Sequence, residues 1–200
     1  MSANSLRVPL IAAALLLAVS CASENAGGAD SPSSSNEADS SSPALPPRHI
    51  DESERPQVTF DPCRDLTDEA ISAIGYDPAT EDGADTLGES QTFLGCSWKT
   101  DPRRYHLTVT AGNVTLDEHR ARNSGYATES SLAGVPALMM LDPRVPDSCV
   151  AALPSDFGAV LLLRTDRDLG SPASPTTPDQ RCEGIEQTAA AVVDAMNPAK

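Results

Sequence analysis

The chain has 200 residues, of which 40% are hydrophobic and only 4% aromatic, and its formal net charge is −15. This length favours about one domain, whose core must be built mainly from aliphatic side chains. An acidic chain repels phosphate backbones, and a chain with only two lysines lacks the clustered cations that hold peripheral proteins on anionic lipid. The composition therefore argues against nucleic acid as a partner and agrees with a well-solvated protein.

The first 20 residues are predicted to be a signal peptide. Arg7 precedes an apolar run over 8–19, which is shorter than the ~20 residues that span a bilayer and suits the core of a signal peptide. The run ends in Ala18-Val19-Ser20-Cys21, which is similar to the bacterial lipobox, although the usual leucine three places before the cysteine is Ala18. The sulfur of Cys21 would form a thioether to diacylglycerol, and cleavage would then free the Cys21 amino group and leave the chain anchored at the extracytoplasmic face of the cell membrane. The alternative is an ordinary secretory leader followed by an incidental cysteine.

Residues 22–57 are predicted to be a disordered tether that follows the lipidated cysteine. The stretch is poor in hydrophobic residues and rich in Ser, Pro, Gly, Ala, Asp and Glu, so it cannot bury enough apolar surface to offset the entropy lost on ordering. A random coil of this length would hold its ends about 30–35 Å apart. The folded domain is therefore placed at 58–200, and a chain that starts at Val58 is expected to melt like one that starts at Ala22.

The first half of the predicted domain contains a helix, a loop, two strands and a second helix. Asp61-Pro62 and Gly75 have the residue types that begin and end a helix, and 76–90 is a loop rich in glycine and acidic residues. Strands are predicted over 91–99 and 105–110, because apolar and polar residues alternate in the second of them. Thr115 and Glu118 have the spacing of a capping box, which predicts a short helix that ends near Asn123.

The second half completes an α+β fold. Three strands are predicted over 135–141, 148–153 and 159–163, and the most apolar of them, Val160-Leu161-Leu162-Leu163, is expected to be central. A loop rich in proline and serine over 166–179 precedes a helix from about Gln180 to Met196. The expected architecture is an antiparallel sheet of about five to six strands, with the N-terminal and C-terminal helices packed on one face.

Four cysteines follow Cys21, namely Cys63, Cys96, Cys149 and Cys182. An even number in an exported domain predicts two disulfides, because the compartment outside the membrane permits them. Three pairings are possible, and we favour Cys63–Cys96 with Cys149–Cys182, since each would join a helix start to a strand that is near in sequence. The competing interpretation is a metal site, but no Cys-x-x-Cys occurs and the histidines lack ligand spacing. No metal is therefore predicted.

An ordered set of short motifs resembles one known family. The motifs are Phe60-Asp61-Pro62-Cys63, Gly95-Cys96-Ser97-Trp98, Ala133-Gly134-Val135-Pro136-Ala137, Ser148-Cys149-Val150, and Cys182 in a final helix rich in alanine and valine. With the lipobox and the tether, they are similar to the LprB/LprC-like lipoproteins of mycobacteria and related high-GC Gram-positive bacteria, a family of unknown function. Where that family usually has Pro-Cys before the final helix, this chain has Arg181-Cys182. The resemblance implies an envelope lipoprotein and supplies no catalytic residue.

No catalytic residue and no cofactor is predicted from the remaining motifs. The histidines, which are His49, His106 and His119, have no Gly-x-Ser-x-Gly element to accompany them. Asp156-Phe157-Gly158 spells a kinase signature, but the other kinase motifs are missing. The acidic loop around Gly83 contains Glu81, Asp82 and Asp85, whose oxygens could bind calcium. The loop lacks the EF-hand spacing, and an acidic loop of this kind is ordinarily solvated. Trp98 is expected in the core beside a disulfide.

The expected function is that of a lipid-anchored envelope lipoprotein that serves as a non-enzymatic binding or accessory module. Its partners would be the membrane, through the lipid on Cys21, and an unknown ligand or envelope protein that meets the sheet and its loops. Two alternatives are an envelope hydrolase with an unrecognised site and a lipid carrier, which needs a large apolar cavity. A structure that shows either a deep apolar pocket or a flat exposed sheet would discriminate between these three functions.

Overall fold

The computed structural model describes residues 46–168 and 177–197. The predicted signal peptide, Cys21 and the tether up to residue 45 lie outside these residues, as does most of the predicted loop over 166–179. Within the described part of the chain, no helix has both the length and the apolar character needed to cross a membrane. The described residues belong to one compact unit, which starts at about residue 45.

An antiparallel sheet of eight strands is the centre of this unit. The strands are β1 Asp77–Gly83, β2 Thr86–Leu87, β3 Thr92–Lys99, β4 Tyr105–Gly112, β5 Ala127–Leu132, β6 Val135–Met140, β7 Ser148–Pro154 and β8 Ala159–Asp166. Their order is β1-β3-β4-β8-β7-β6-β5, and β2 pairs with β3. The strand β8 lies in the middle of this order, which confirms the central position that its apolar sequence predicts.

The prediction of five to six strands is too low, because three strands carry little apolar sequence. The strands β1 and β2 fall in 76–90, where a loop is predicted, and β5 falls where no element is predicted. The four inner residues of β5 and both residues of β2 are exposed. These strands lie at the margins of the sheet, where side chains meet solvent, so the hydrophobic alternation that identifies a strand is missing.

Five helices are described, and both of the long predicted helices are interrupted. The helices are α1 Pro62–Asp65, α2 Asp68–Ala73, α3 Leu116–Arg122, α4 Pro178–Arg181 and α5 Ile185–Met196. Thr67 caps α2 by accepting a hydrogen bond from the Ala70 N–H, which divides the first predicted helix. Gly184, with a φ of 81°, separates α4 from α5. The predicted short helix is confirmed as α3, with the capping box between Thr115 and Glu118 complete.

Two clusters of buried side chains lie on opposite faces of the sheet, because successive strand residues point to opposite sides. The larger cluster joins α2 and α5 to the strands and includes Ile71, Trp98, Leu107, Leu162 and Val192. The smaller cluster consists of Leu138, Met140 and Ala152, and Leu116 of α3 packs against it. We call the side of the sheet that carries the smaller cluster the second face. Trp98 is fully buried, as predicted.

Both predicted disulfides are present. Cys63 is joined to Cys96 and Cys149 to Cys182, each across a sequence separation of 33. Cys96 in β3 and Cys149 in β7 are fully buried, so the bridges attach α1 and the end of α4 to the two halves of the sheet. Glu81 comes within 4.8 Å of the first bridge, but bridged sulfurs offer no thiolate to a metal.

Residues 46–57, which we call the strap, correct the predicted boundary at Val58. The sequence places them in a disordered tether, but in the structure they contact the folded unit. Asp51 is only 5% exposed, and its carboxylate accepts hydrogen bonds from Asn113 Nδ2 at 2.8 Å and from the Thr92 hydroxyl. Thr92 and Asn113 are themselves buried. The strap therefore satisfies two polar groups inside the domain.

Two arginines attach the strap to helices. Arg55 donates from Nη2 and Nη1 to the two carboxylate oxygens of Glu118 in α3, at 2.7 and 3.0 Å. Arg48 donates from Nε and Nη2 to Asp61, the N-cap of α1, at 2.5 and 2.8 Å. Bidentate arginine–carboxylate pairs are among the stronger polar contacts in proteins. The strap is thus held by charge and hydrogen bonding, which hydrophobic patterns cannot reveal.

Candidate functional site

A cleft of about 420 Å³ opens on the second face of the sheet, beside α3. Strands β6, β7 and β8 supply an apolar floor of Met140, Val150, Leu161 and Leu163. The other lining residues are His119, Asn123, Tyr126, Asp142, Val145 and Ser148. The floor residues point to the second face because they alternate with the residues of the larger core cluster.

Helix α3 turns one stripe of residues toward the sheet. Leu116, His119 and Asn123 are spaced i, i+3 and i+7, which places them on the same side of a helix. Leu116 packs on the smaller cluster, and the other two residues line the cleft. Elsewhere on α3, Arg120 Nε donates to Glu129 of β5 at 2.5 Å. The helix is therefore fixed by an edge strand as well as by Arg55 of the strap.

His119 lines this cleft and carries a buried polar atom that has no partner within the described residues. The residue is 7% exposed, and Nε2 has no hydrogen-bond partner among the described residues. Burial lowers the pKa of His119, and Arg122 lowers it further, while Glu118 acts in the opposite direction. The imidazole is therefore neutral at pH 7, and Nε2 can accept or donate one hydrogen bond according to its tautomer.

The other polar residues of the lining already have partners. The Tyr126 hydroxyl donates to Asn123 Oδ1 at 2.7 Å, and Asn123 Nδ2 donates to the carbonyl of His119 at 2.7 Å. Asp142 forms an ion pair with Arg144 at 2.6 Å, and the Ser148 and Thr165 hydroxyls lie 3.4 Å apart. Polar groups that already have partners gain little from a new one, because they must first give up an old one.

The cleft contains a serine, a histidine and an aspartate, but they do not form a catalytic triad. A triad requires the histidine to bond the serine hydroxyl on one side and the aspartate on the other. Ser148 is paired with Thr165 instead, and Asp142 with Arg144. Within the described residues no hydrogen bond joins His119 to either of them. The arrangement can bind a ligand, but it does not present an activated nucleophile.

A second cleft, of about 530 Å³, lies at the turn between β7 and β8. Its lining is more polar and includes Asp65, Ser155, Asp156 and Asn197. The Asp156-Phe157-Gly158 triplet belongs to this turn: Ser155 and Gly158 exchange backbone hydrogen bonds, and Gly158 has a φ of 150°. A Cβ at residue 158 would lie 2.3 Å from the carbonyl oxygen of Gly112. The triplet is therefore part of a tight turn that requires glycine at residue 158.

The remaining residues that the sequence singled out lie apart from the first cleft. His106 of β4 bonds Arg167 through Nδ1 at 2.7 Å, and its pKa is lowered by burial and then by Arg167 and Lys99. In the acidic loop, Asp85 accepts a hydrogen bond from the Gly95 N–H at 2.8 Å and pairs with Arg48 at 3.1 Å. Its carboxylate therefore supports the strap and the β3 backbone.

Comparison with known proteins identifies a family for this chain. A family model described as "Protein of unknown function (DUF3558)" matches residues 16–195. No curated protein matches the chain, and no solved structure does.

Proposed function

Because the chain belongs to the family described as protein of unknown function (DUF3558), which names no activity, we propose a function from the chain's own features. The protein is a lipid-anchored envelope lipoprotein that acts as a non-enzymatic binding module through the cleft beside α3. The observation that carries this proposal is an apolar floor in a cleft that is also lined by His119, whose Nε2 has no partner among the residues that the structure describes. Binding sites for small ligands combine an apolar lining with a few polar groups in this way.

The shape and chemistry of the cleft favour binding over the two alternatives. A lipid carrier needs a large enclosed apolar cavity, whereas this cleft is open and measures about 420 Å³. A hydrolase needs a base joined to a nucleophile, and His119 and Ser148 are not joined. A module that holds a ligand without transforming it needs neither feature.

The proposed location depends on the N-terminal sequence. The family match begins at residue 16 and thus includes Ala18-Val19-Ser20-Cys21, which supports lipidation as a property of the family rather than an accident of this chain. The ordered motifs from Phe60 to Cys182 support the closer relation to LprB/LprC-like lipoproteins of high-GC Gram-positive bacteria. The membrane partner is then the lipid bilayer itself, reached through the diacylglycerol on Cys21.

Lipidation can be tested by the substitution Cys21→Ala. We expect the wild-type chain to incorporate a fatty-acid label in cells and to sediment with membranes, and the variant to lose both properties because it lacks the acceptor thiol. The measurement is metabolic labelling combined with membrane fractionation. Ser20→Ala is the matched control, since it keeps a small residue before the cysteine. Equal labelling of the Cys21→Ala chain would refute lipidation.

Binding through the cleft can be tested by photo-crosslinking in cells. We expect p-benzoylphenylalanine at Leu163, on the floor of the cleft, to yield an adduct under light. The same group at Leu87, which is 52% exposed and lies on β2, is the control and should yield none. Val150→Trp would fill the cleft and should abolish the adduct at position 163. Adducts of equal yield at both positions, or none at either, would contradict the proposed function.

A further inference from the structure

The lining of the cleft beside α3 restricts the chemistry of its ligand. Its floor consists of aliphatic and thioether side chains, which gain free energy when they are covered by an apolar body. Among the lining residues, only His119 has a buried side-chain atom that lacks a hydrogen-bond partner within the described residues. A buried polar atom without a hydrogen bond destabilises the folded state, and a ligand that supplies the missing hydrogen bond removes that penalty. The complementary ligand therefore has an apolar body and one polar group.

The charges around the cleft disfavour a ligand with an ionic head group. Asp142 is the only carboxylate of the lining and is held by Arg144. The hydrogen bonds and charge of Arg144 lower the pKa of Asp142 to about 2, so this pair stays intact at pH 7. Arg122 of α3 lies 3.7 Å from Glu118. A charged head group would lose its hydration and find no unpaired opposite charge in the lining.

A neutral hydrogen-bonding group fits His119 better than an ion does. The imidazole is neutral for the reason given above, so it makes an ordinary hydrogen bond with a hydroxyl or a carbonyl. A single site of about 420 Å³ is near the lower end of the roughly 300–1,000 Å³ found for small-molecule sites. The space therefore suits one short chain or compact apolar body rather than a segment of folded protein.

We infer that the cleft binds an uncharged single-chain amphiphile, whose aliphatic body covers Val150, Leu161 and Leu163 and whose hydroxyl or carbonyl bonds His119 Nε2. This inference deepens the proposed function and rests on it. It names a class of ligand, whereas the proposed function requires only that something binds at the cleft.

Three probes with the same eight-carbon body test the inference: 1-octanol, octanoate and octylammonium. They are titrated at pH 7 into the chain from residue 22 to 200, which contains the whole folded unit. The chain has three histidines and three tyrosines, so isotope labelling of these types gives few signals. We expect 1-octanol to shift the imidazole ¹⁵N signal of His119 and the ring signals of Tyr126. His49, His106, Tyr76 and Tyr105 should not respond, and the two charged probes should bind at least about tenfold more weakly.

Variants then separate the hydrogen bond from the apolar contact. His119→Phe should weaken octanol binding about three- to tenfold, the effect of one hydrogen bond, and His119→Gln should restore part of it. Leu163→Gln should weaken binding of all three probes, whereas the matched Leu87→Gln should not. Thermal melts identify any variant that fails to fold, and the floor variant remains informative if His119 cannot be replaced.

The outcomes distinguish this inference from the proposed function. Octanoate or octylammonium binding as tightly as 1-octanol would overturn the neutral head group. A shift at His106 equal to that at His119 would overturn the site. A light-induced adduct at Leu163 without any response to 1-octanol would overturn the ligand class and leave the binding function standing. No adduct and no response would overturn both.

Discussion

A chain that begins at Val58 should melt well below one that begins at Leu45. Removal of the strap takes away the carboxylate of Asp51, which accepts hydrogen bonds from the buried side chains of Thr92 and Asn113. Each buried donor left without a partner costs about 1–3 kcal/mol. The paired contact between Arg55 and Glu118 is lost as well. We expect a loss of about 3–6 kcal/mol in the free energy of unfolding, measured by urea denaturation.

The control for this prediction compares a chain that begins at Leu45 with a chain that begins at Ala22. These two chains differ only before the strap and should have equal stability. Equal stability of the Val58 and Leu45 chains would instead show that the strap adds nothing to the fold, as the tether interpretation of the sequence requires.

Asp51→Asn isolates the central contact of the strap and predicts a dependence on pH. Hydrogen bonds from the Ser53 and Thr92 side chains, opposed by burial, lower the pKa of Asp51 to about 2, from 3.8 for an ordinary aspartate. The folded state therefore binds its proton less readily than the unfolded state, so the stabilisation is complete above about pH 4 and is lost as the pH falls toward 2. The variant should melt lower at pH 7 and lose less on acidification, while Glu52→Gln, at an exposed neighbour, should behave as wild type.

Removal of either disulfide should have the second large effect. Each bridge closes a loop with a sequence separation of 33, for which loop-closure entropy gives about 3–4 kcal/mol. We expect this loss in Cys63→Ala/Cys96→Ala and in Cys149→Ala/Cys182→Ala, with melting temperatures lower by about 10 °C. Because the two loops are equally long, any difference between the variants reports packing around the bridges rather than chain entropy.

Cys21→Ala is the matched control for the disulfide variants, since it removes a cysteine that belongs to neither bridge. It should leave the urea denaturation midpoint unchanged. Wild-type stability in either double variant would mean that the corresponding bridge does not constrain the unfolded chain, which would contradict the entropic account.

The parts of the fold that could be predicted from the sequence are those in which apolar side chains or caps determine the local structure. The apolar run of β8 predicts a central strand, and the Thr115–Glu118 spacing predicts α3 together with its capping box. The margins of the sheet could not be found in this way. The strands β1, β2 and β5 are held by backbone pairing to their neighbours, and their exposed side chains follow no hydrophobic period.

Only part of the cleft could be predicted from the sequence. The spacing of Leu116, His119 and Asn123 was available in the sequence and would have placed His119 on the sheet side of α3. The floor strands β6, β7 and β8 pair in sequence order, but the position of α3 beside them depends on tertiary packing that residue spacing alone does not determine. The strap escaped prediction because its role depends on distant polar partners, such as the pairing of Arg55 with Glu118 across 63 positions.

The strap also determines how a force applied at the N-terminal end would be transmitted to the domain. Tension applied at Pro46 acts first on the contact of Arg48 with Asp61, then on the contacts of Asp51, and then on the pair of Arg55 with Glu118. These contacts would break one after another rather than together. The force needed to detach the strap is therefore the force that breaks a single contact. The last of them to yield is the contact of Arg55 with Glu118 of α3. A domain pulled from this end would therefore lose the strap's hold on α3 while Arg120 and Glu129 still attach the helix to β5 and both disulfides stay closed.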